Sequence, residues 1–330
     1  MRILVTGGAG YIGCQIVLRL GEAGHEVTSF DNLSSGHREM LPGGEFILGD
    51  IRDPQALADA LEQSQAEAVF HMAASSDLRE SIIDPVKYYA NNVTGTLNVI
   101  QACVTARVRH LVFASSAAVY GIPNSQAVAE DAPLQPISPY GRSKLIGEQM
   151  LADCAAAADL GYVALRFFNV AGADVEGRCG EALPDAWHLI KVACQTAVGL
   201  RDDITIYGTD YPTEDGTCVR DYVHVDDVAQ AHIKALDYLV AGGAPVNMNV
   251  GYGHGTSVRQ IVDMIARLSP RDFAIHTDAG REGDPPYLVS NADEIRHLIG
   301  WKPQYDDLEV IVRSALAWEQ KMAENVRKTG

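Results

Sequence analysis

The first thirteen residues restrict the architecture of this chain more than any other segment. Arg2 to Thr6 is a short apolar run that breaks into T-G-G-A-G-Y-I-G. A helical pattern follows, with Ile16, Val17, Leu20 and Ala23 on one side. Strand, tight glycine turn and helix in that order make a glycine fingerprint credible as a dinucleotide site. Gly7, Gly10 and Gly13 permit positive φ and a close approach of backbone to a pyrophosphate, whose charge then rests at a helix N-terminus. A second strand, Glu26 to Phe30, ends at Asp31 and leads into Asn32, Leu33 and Ser34. A carboxylate at that strand end accepts hydrogen bonds from a ribose diol and repels a 2′-phosphate, so NAD is expected in preference to NADP.

Strand and helix signals then alternate. Further strands are expected near Glu45 to Leu48, Ala68 to His71, His110 to Ser115 and Tyr162 to Phe168. Helical patterns fill the gaps at Ile12 to Gly24, Pro54 to Gln63, Pro85 to Ala106 and Tyr140 to Ala158. Repeated β-α units predict an α/β protein with a Rossmann-type, doubly wound parallel sheet, and such sheets bind ligands outside the carboxyl ends of their strands. Polar or small residues fall at those ends: Asp31, Gly49-Asp50, His71-Met72-Ala73-Ala74, Ser115-Ser116 and Asn169. After Asn169 glycine, proline and charge become frequent and the elements shorten. Residues 1–169 are therefore read as a cofactor domain and 170–330 as a smaller mixed α/β substrate lobe, with one segment free to return to the sheet.

Composition narrows the partners. Over 330 residues the net charge is −17, which argues against nucleic acid or an anionic membrane surface. An anionic substrate would need local arginines. Six cysteines are scattered without C-x-x-C or histidine at metal spacing, so no metal site is expected and the thiols suit a reducing compartment. Met1 leads straight into the first strand and no apolar run approaches a membrane span. A cytoplasmic location is the expectation.

Between Ser116 and Lys144 stand a serine, a tyrosine and a lysine suited to proton and hydride chemistry. Tyr140 and Lys144, four apart in S-P-Y-G-R-S-K, lie on one helix face. A free tyrosine is a poor base at neutral pH, with a pKa of about 10. A neighbouring ammonium is expected to favour the phenolate and bring it toward the working range. Ser116, just past an apolar strand, can donate to the same substrate oxygen.

The second half offers charged groups in turn-rich segments. Arg220 lies within Y-G-T-D-Y-P-T-E-D-G-T-C-V-R-D-Y-V-H-V-D-D-V, and its guanidinium suits a diphosphate. Arg281 and Asp284 follow in R-E-G-D-P-P-Y-L, the carboxylate suited to sugar or ribose hydroxyls. His188, in a W-H-L-I-K run, reads equally as a satisfied helix histidine or a sugar contact. Phe167 and Phe168 read as core or pocket, with Asn169 at the strand tip facing the pocket.

Together G-x-x-G-x-x-G, a downstream serine and Y-x-x-x-K resemble the extended short-chain dehydrogenase/reductase family. The Y-P-T-E-D-G-T-C-V-R-D-Y stretch, with D-N-L-S after the second strand and R-E-G-D near the end, is similar to its UDP-hexose 4-epimerase branch from residue 1 to about 320. The resemblance implies an isomerase that keeps NAD bound and interconverts UDP-glucose and UDP-galactose through a transient 4-keto sugar. It makes Tyr140 the base, Ser116 a hydrogen-bond partner of the hydroxyl, and Lys144 both a tuning group and a ribose contact. Cofactor contacts are implied at Gly7, Gly10, Tyr11, Ile12, Gly13, Asp31, Asn32, Leu33, Ser34, Asp50, Ile51, Ala73, Ala74, Asn91 and Phe168. UDP-sugar contacts are implied at Asn169, His188, Leu189, Thr205, Tyr207, Arg220, Arg281, Asp284 and Leu288. A homodimer through two helices of the first lobe is common in the family and expected here.

Three positions depart from the family pattern. Ser76 stands where some relatives carry a cofactor-contacting lysine, and Phe167 replaces a common tyrosine. Leu288, or Tyr287 if the register shifts, occupies the position that gates sugar size. A leucine leaves room for a 2-acetamido group, so a 4-epimerase of UDP-N-acetylhexosamine, UDP-pentose or UDP-uronate is the alternative reading. A catalytically silent NAD-sensing module is the alternative from another class, and intact Ser116, Tyr140 and Lys144 argue against it.

Overall fold

Apolar runs in the first half pair side by side in parallel, and the positions of their ends decide where chemistry can occur. The computed structural model describes residues 1–183, 187–281 and 283–329. Its first half runs β1 (Arg2–Thr6), α1 (Tyr11–Glu22), β2 (Glu26–Asp31), β3 (Glu45–Leu48), α2 (Pro54–Ser64) and β4 (Ala68–His71). Next come α3 (Leu78–Ile83), α4 (Pro85–Tyr88), a π-helical turn (Tyr89–Thr94), α5 (Gly95–Ala106) and β5 (His110–Ser116). Then follow β6 (Ala127–Val128), α6 (Pro139–Ala157), β7 (Gly161–Phe167), β8 (Asn169–Ala171), α7 (Leu189–Val198) and β9 (Asp203–Tyr207). The rest comprises β10 (Val219–Arg220), β11 (Tyr222–His224), α8 (Val225–Val240), β12 (Val246–Val250), β13 (Thr256–Ser257) and α9 (Val258–Leu268). It closes with β14 (Ala274–Asp278), β15 (Tyr287–Ser290), α10 (Asp293–Leu298) and α11 (Leu308–Thr329).

Seven strands form one parallel sheet in the order β12-β7-β5-β4-β1-β2-β3. The segment that returns from the second half is β12, paired with β7. Side chains alternate between two buried faces, as a parallel sheet covered on both sides requires. Ile3 and Val5 join one core with Ile16 and Leu20 of α1 and Val228 of α8. Leu4 joins the other, with Leu57 of α2, Ile100 of α5 and Leu151 of α6. Register places Thr6 beside Phe30 and His71, and Ser116 beside Phe167, so the strand ends form one rim.

The helix expected over Pro85 to Ala106 is interrupted by the π-helical turn. That turn aims the buried Asn92 carboxamide at Ser75 and Ser143, which it binds through Nδ2 at 2.9 and 3.0 Å. Such a bulge re-aims side chains inside a helix and is common at functional sites. Beyond the main sheet lie a four-stranded sheet (β13-β10-β15-β6) and the parallel pairs β8–β11 and β9–β14. Among the described residues no helix is long and apolar enough to cross a membrane, and no group of three His, Cys, Asp or Glu is placed to hold a metal.

Candidate active site

A cleft of about 860 Å³ opens along the carboxyl ends of the sheet strands, under the elements of the second half. Its floor at one end is the glycine turn. Gly7 has φ +71°, and a Cβ there would stand 2.6 Å from the Ala73 nitrogen. A Cβ on Gly13 would stand 2.1 Å from the Gly7 oxygen. Gly10 precedes α1 without a side-chain cap, so the first amides of that helix keep donor capacity toward the cleft. Bare backbone at a helix N-terminus with no space for side chains suits a pyrophosphate. Tyr11 and Ile12 line the same end.

Asp31 is buried beside the turn and accepts from Ala9 N at 3.0 Å and Leu33 N at 2.8 Å. Burial raises its pKa, and those two backbone bonds oppose the rise. The carboxylate thus braces the glycine loop while its remaining lone pairs face the cleft with Asn32 and Ser34. Leu33 takes a left-handed φ of 59°, is exposed, and does not line the cleft. Asp50 also lies outside the lining. Arg52 grips its carboxylate at 2.6 and 2.9 Å, and Asn32 adds a third bond at 2.9 Å. That arginine holds the Asp50 carboxyl well below the usual carboxylate range. The cleft wall there is Asn32, Ile51 and Arg52 instead. Ala73, Ala74 and Asn91 complete this half, with Ser76 at the position noted for its missing lysine.

At the centre stand Ser116, Tyr140 and Lys144, all lining the cleft. Ser138 caps α6 by accepting from Gly141 N at 3.1 Å, and Pro139 occupies the first turn. Gly141 has no room for a Cβ, which would stand 2.5 Å from the Ala118 oxygen. This close packing carries the Tyr140 phenol to the end of β5. Lys144 Nζ, however, donates to the Ala114 carbonyl at 2.7 Å and lies 5.1 Å from the Phe113 ring centre. Burial brings Lys144 down to about 7, with Glu148 opposing. Burial pushes Tyr140 up, and a hydrogen bond with Ser116 draws it back. Burial, and not the expected pull of the ammonium, is the largest influence on the phenol. The lysine is tied to main chain and largely desolvated, and dryness dominates the phenol. Behind the triad, buried Glu148 receives Arg166 at 2.9 and 2.7 Å and the hydroxyl of Ser115, fastening α6 to the tip of β5.

The far wall comes from the end of β7 and from the second half. Phe168, Asn169, His188, Leu189, Arg220 and Asp284 line it, as do Phe167 and Leu288; Tyr287 does not. Arg220 Nη1 donates to the carbonyls of Val219 and Pro285 at 2.9 and 2.7 Å. His188 Nδ1 meets Glu181 at 2.7 Å; burial lowers its pKa but the Glu181 charge outweighs this and leaves it raised. Thr205, Tyr207 and Arg281 stand outside the lining, where the Arg281 guanidinium lies 4.0 Å over the Tyr207 ring. Sequence reasoning missed the Glu181 partner of His188 and the buried Lys191–Glu319 pair at 2.5 Å, both in the cleft wall. Nothing local signals the second pair, because 128 residues separate Lys191 from Glu319.

The sequence model of the NAD dependent epimerase/dehydratase family matches residues 3–251. A UDP-glucose 4-epimerase of Azospirillum brasilense is 48% identical over 330 residues, covering 100% of this chain and 95% of its own. The UDP-glucose 4-epimerase of Brucella ovis in complex with NAD superposes with a TM-score of 0.94 at 43% identity, covering 96% of this chain and 98% of that one. The UDP-Glc/GlcNAc 4-epimerase of Campylobacter jejuni gives a TM-score of 0.84 at 43% identity, covering 97% and 99%.

Proposed function

The chain belongs to the NAD dependent epimerase/dehydratase family, and from that premise we propose that it is an isomerase inverting C4 of a UDP-hexose. UDP-glucose and UDP-galactose interconvert with no net redox change. The observation that carries this reading is one cleft holding the Ser116–Tyr140–Lys144 set, a bare glycine turn and Arg220 on the facing wall.

The glycine turn, the α1 amides and Asp31 would hold NAD. NAD bound there would supply the hydride-accepting and hydride-donating group for C4. Tyr140, as phenolate, takes the proton from the 4-hydroxyl, and Ser116 hydrogen-bonds the same oxygen as it becomes a carbonyl. Lys144, held by the Ala114 carbonyl at 2.7 Å, orients the ribose. Arg220 and Asp284 grip the nucleotide end, while Phe168, Asn169, His188 and Leu189 bound the sugar. When the 4-keto hexose has turned, C4 would take the hydride back on its opposite face while Tyr140 returns the proton to the 4-oxygen. A firm grip on the diphosphate with a loose one on the hexose is what two-faced chemistry needs.

Leu288 at the sugar end favours a second substrate class, the UDP-N-acetylhexosamines, because a leucine leaves space that a tyrosine would fill. The exposed apolar residues Ile82, Ile83, Val86 and Leu97 support pairing with a second copy through α3 to α5. Residues 1–169 and 170–330 are proposed to divide the labour between cofactor and substrate. All six cysteines are free thiols, which supports a reducing, cytoplasmic setting. The test is to incubate purified protein with a panel of UDP-sugars, without added NAD, and resolve the C4 epimers. UDP-galactose should yield UDP-glucose, and UDP-N-acetylglucosamine its own epimer. Stoichiometric NADH release, or no epimer from any sugar, would overturn the reading.

A further inference from the structure

Asp221, the residue after the cleft arginine, is fully buried, and among the described residues its carboxylate pairs with no cation. It is satisfied by four neutral donors. Oδ1 accepts from Tyr252 N at 2.9 Å, and Oδ2 accepts from Gly253 N at 3.0 Å, Ser290 N at 3.1 Å and Ser290 Oγ at 2.6 Å. Its main chain is engaged as well. Asn169 N donates to its carbonyl at 2.9 Å, and its own N–H donates to the Leu288 carbonyl at 3.2 Å.

These bonds join three separate segments. Tyr252 and Gly253 follow β12, the strand that re-enters the main sheet, and Ser290 ends β15. Asn169, Arg220 and Leu288, each adjacent to or bonded with Asp221, all line the cleft. The space is close: a Cβ on Gly251 would stand 2.5 Å from Asp221 Oδ2. A carboxylate accepting several N–H bonds holds its donors more firmly than a neutral acceptor does.

We propose that Asp221 is a positioning residue for the UDP-sugar, fixing Arg220 and Leu288 against Asn169 across the joint between the sheet and the second half. The proposal rests on the UDP-sugar reading. It differs from a purely structural role in acting on nucleotide grip and not on the hydride and proton steps. Asp221→Asn keeps the shape but turns an amide NH₂ toward donors, leaving at least one buried N–H without an acceptor.

The test compares wild type, Asp221→Asn and Ser290→Ala, reading kcat, KM for UDP-galactose, UDP affinity by calorimetry and retained NAD by absorbance. Asp221→Asn should raise KM and weaken UDP binding by about tenfold or more, with kcat falling much less and NAD retained. Ser290→Ala, which removes one donor only, should shift the same quantities by about two- to fivefold and serves where Asp221→Asn does not fold. Unchanged KM and UDP affinity in both variants, or a loss confined to kcat and NAD content, would overturn the proposal. A wild type that fails to bind UDP would instead sink the substrate reading itself.

Discussion

One oxygen atom separates the Tyr140 side chain from that of a phenylalanine. The ring is held by packing, with the edge of Tyr88 set at 86° and 6.4 Å between centroids. Tyr140→Phe therefore leaves the ring in place and removes the group proposed to exchange a proton with the 4-hydroxyl. Turnover should fall by about 10²–10⁴-fold or more, the usual contribution of a positioned general base. NAD content and thermal midpoint should stay near those of the parent. Steady-state epimerisation of UDP-galactose measures the first and absorbance of the denatured supernatant the second; near-parental turnover would remove the phenol from the chemistry. Spacing captures only part of the arrangement around this residue. Y-x-x-x-K correctly puts both side chains in the cleft, but it does not reveal that Ala114 claims the lysine.

At the scale of elements, α1 contains two glycines with opposite consequences. Gly13 packs onto the turn below it, and an added methyl would collide with the Gly7 carbonyl at 2.1 Å. Gly21, exposed one residue from the helix end, has nothing within 4 Å of such a methyl. Gly13→Ala should cost about 1–3 kcal/mol through overpacking and deplete bound NAD, because the loop must shift. Gly21→Ala should be neutral or stabilise by up to about 1 kcal/mol, the propensity difference within a helix. Urea unfolding with parallel NAD assay separates them; equal effects would mean that α1 does not press on the turn. The parallel strands and their helices were legible because buried β-α units write long apolar runs, and β1 to β5 fall close to where those runs predict. The short strands β6, β8, β10 and β13, of two or three residues each, left no period to read. The π-helical turn was invisible for a related reason. Its cause is the contact of Asn92 with Ser75 and Ser143, a tertiary demand that no helical pattern encodes.

Across the whole molecule, three buried histidines are held neutral. His71 bridges Thr6 and Thr96 at 2.8 and 3.0 Å, His224 accepts from Asp226 N at 3.1 Å, and His232 bonds the Val228 carbonyl at 2.8 Å between Phe70 and Phe167. Burial brings His71 down to about 3, and His224 and His232 down to about 4. The unfolded chain takes up protons near pH 6.5 that the folded chain refuses until much lower pH. Stability from these groups is therefore complete above about pH 6.5 and is lost as pH falls toward their folded values. Between pH 7 and 5 each costs about 2 kcal/mol. Asp227 and Glu319, raised chiefly by burial, act in the opposite direction and blunt the net loss. A single substitution isolates the effect. His232 Nε2 has no partner, so His232→Phe removes an orphaned donor or acceptor and places an inert ring between two others. The variant should be at least as stable as the parent at pH 7 and lose about 2 kcal/mol less on acidification to pH 5, read from urea midpoints at both pH values. Identical acid losses in parent and variant would show that His232 accepts a proton without unfolding, and that this part of the sheet interior is wetter than its packing implies.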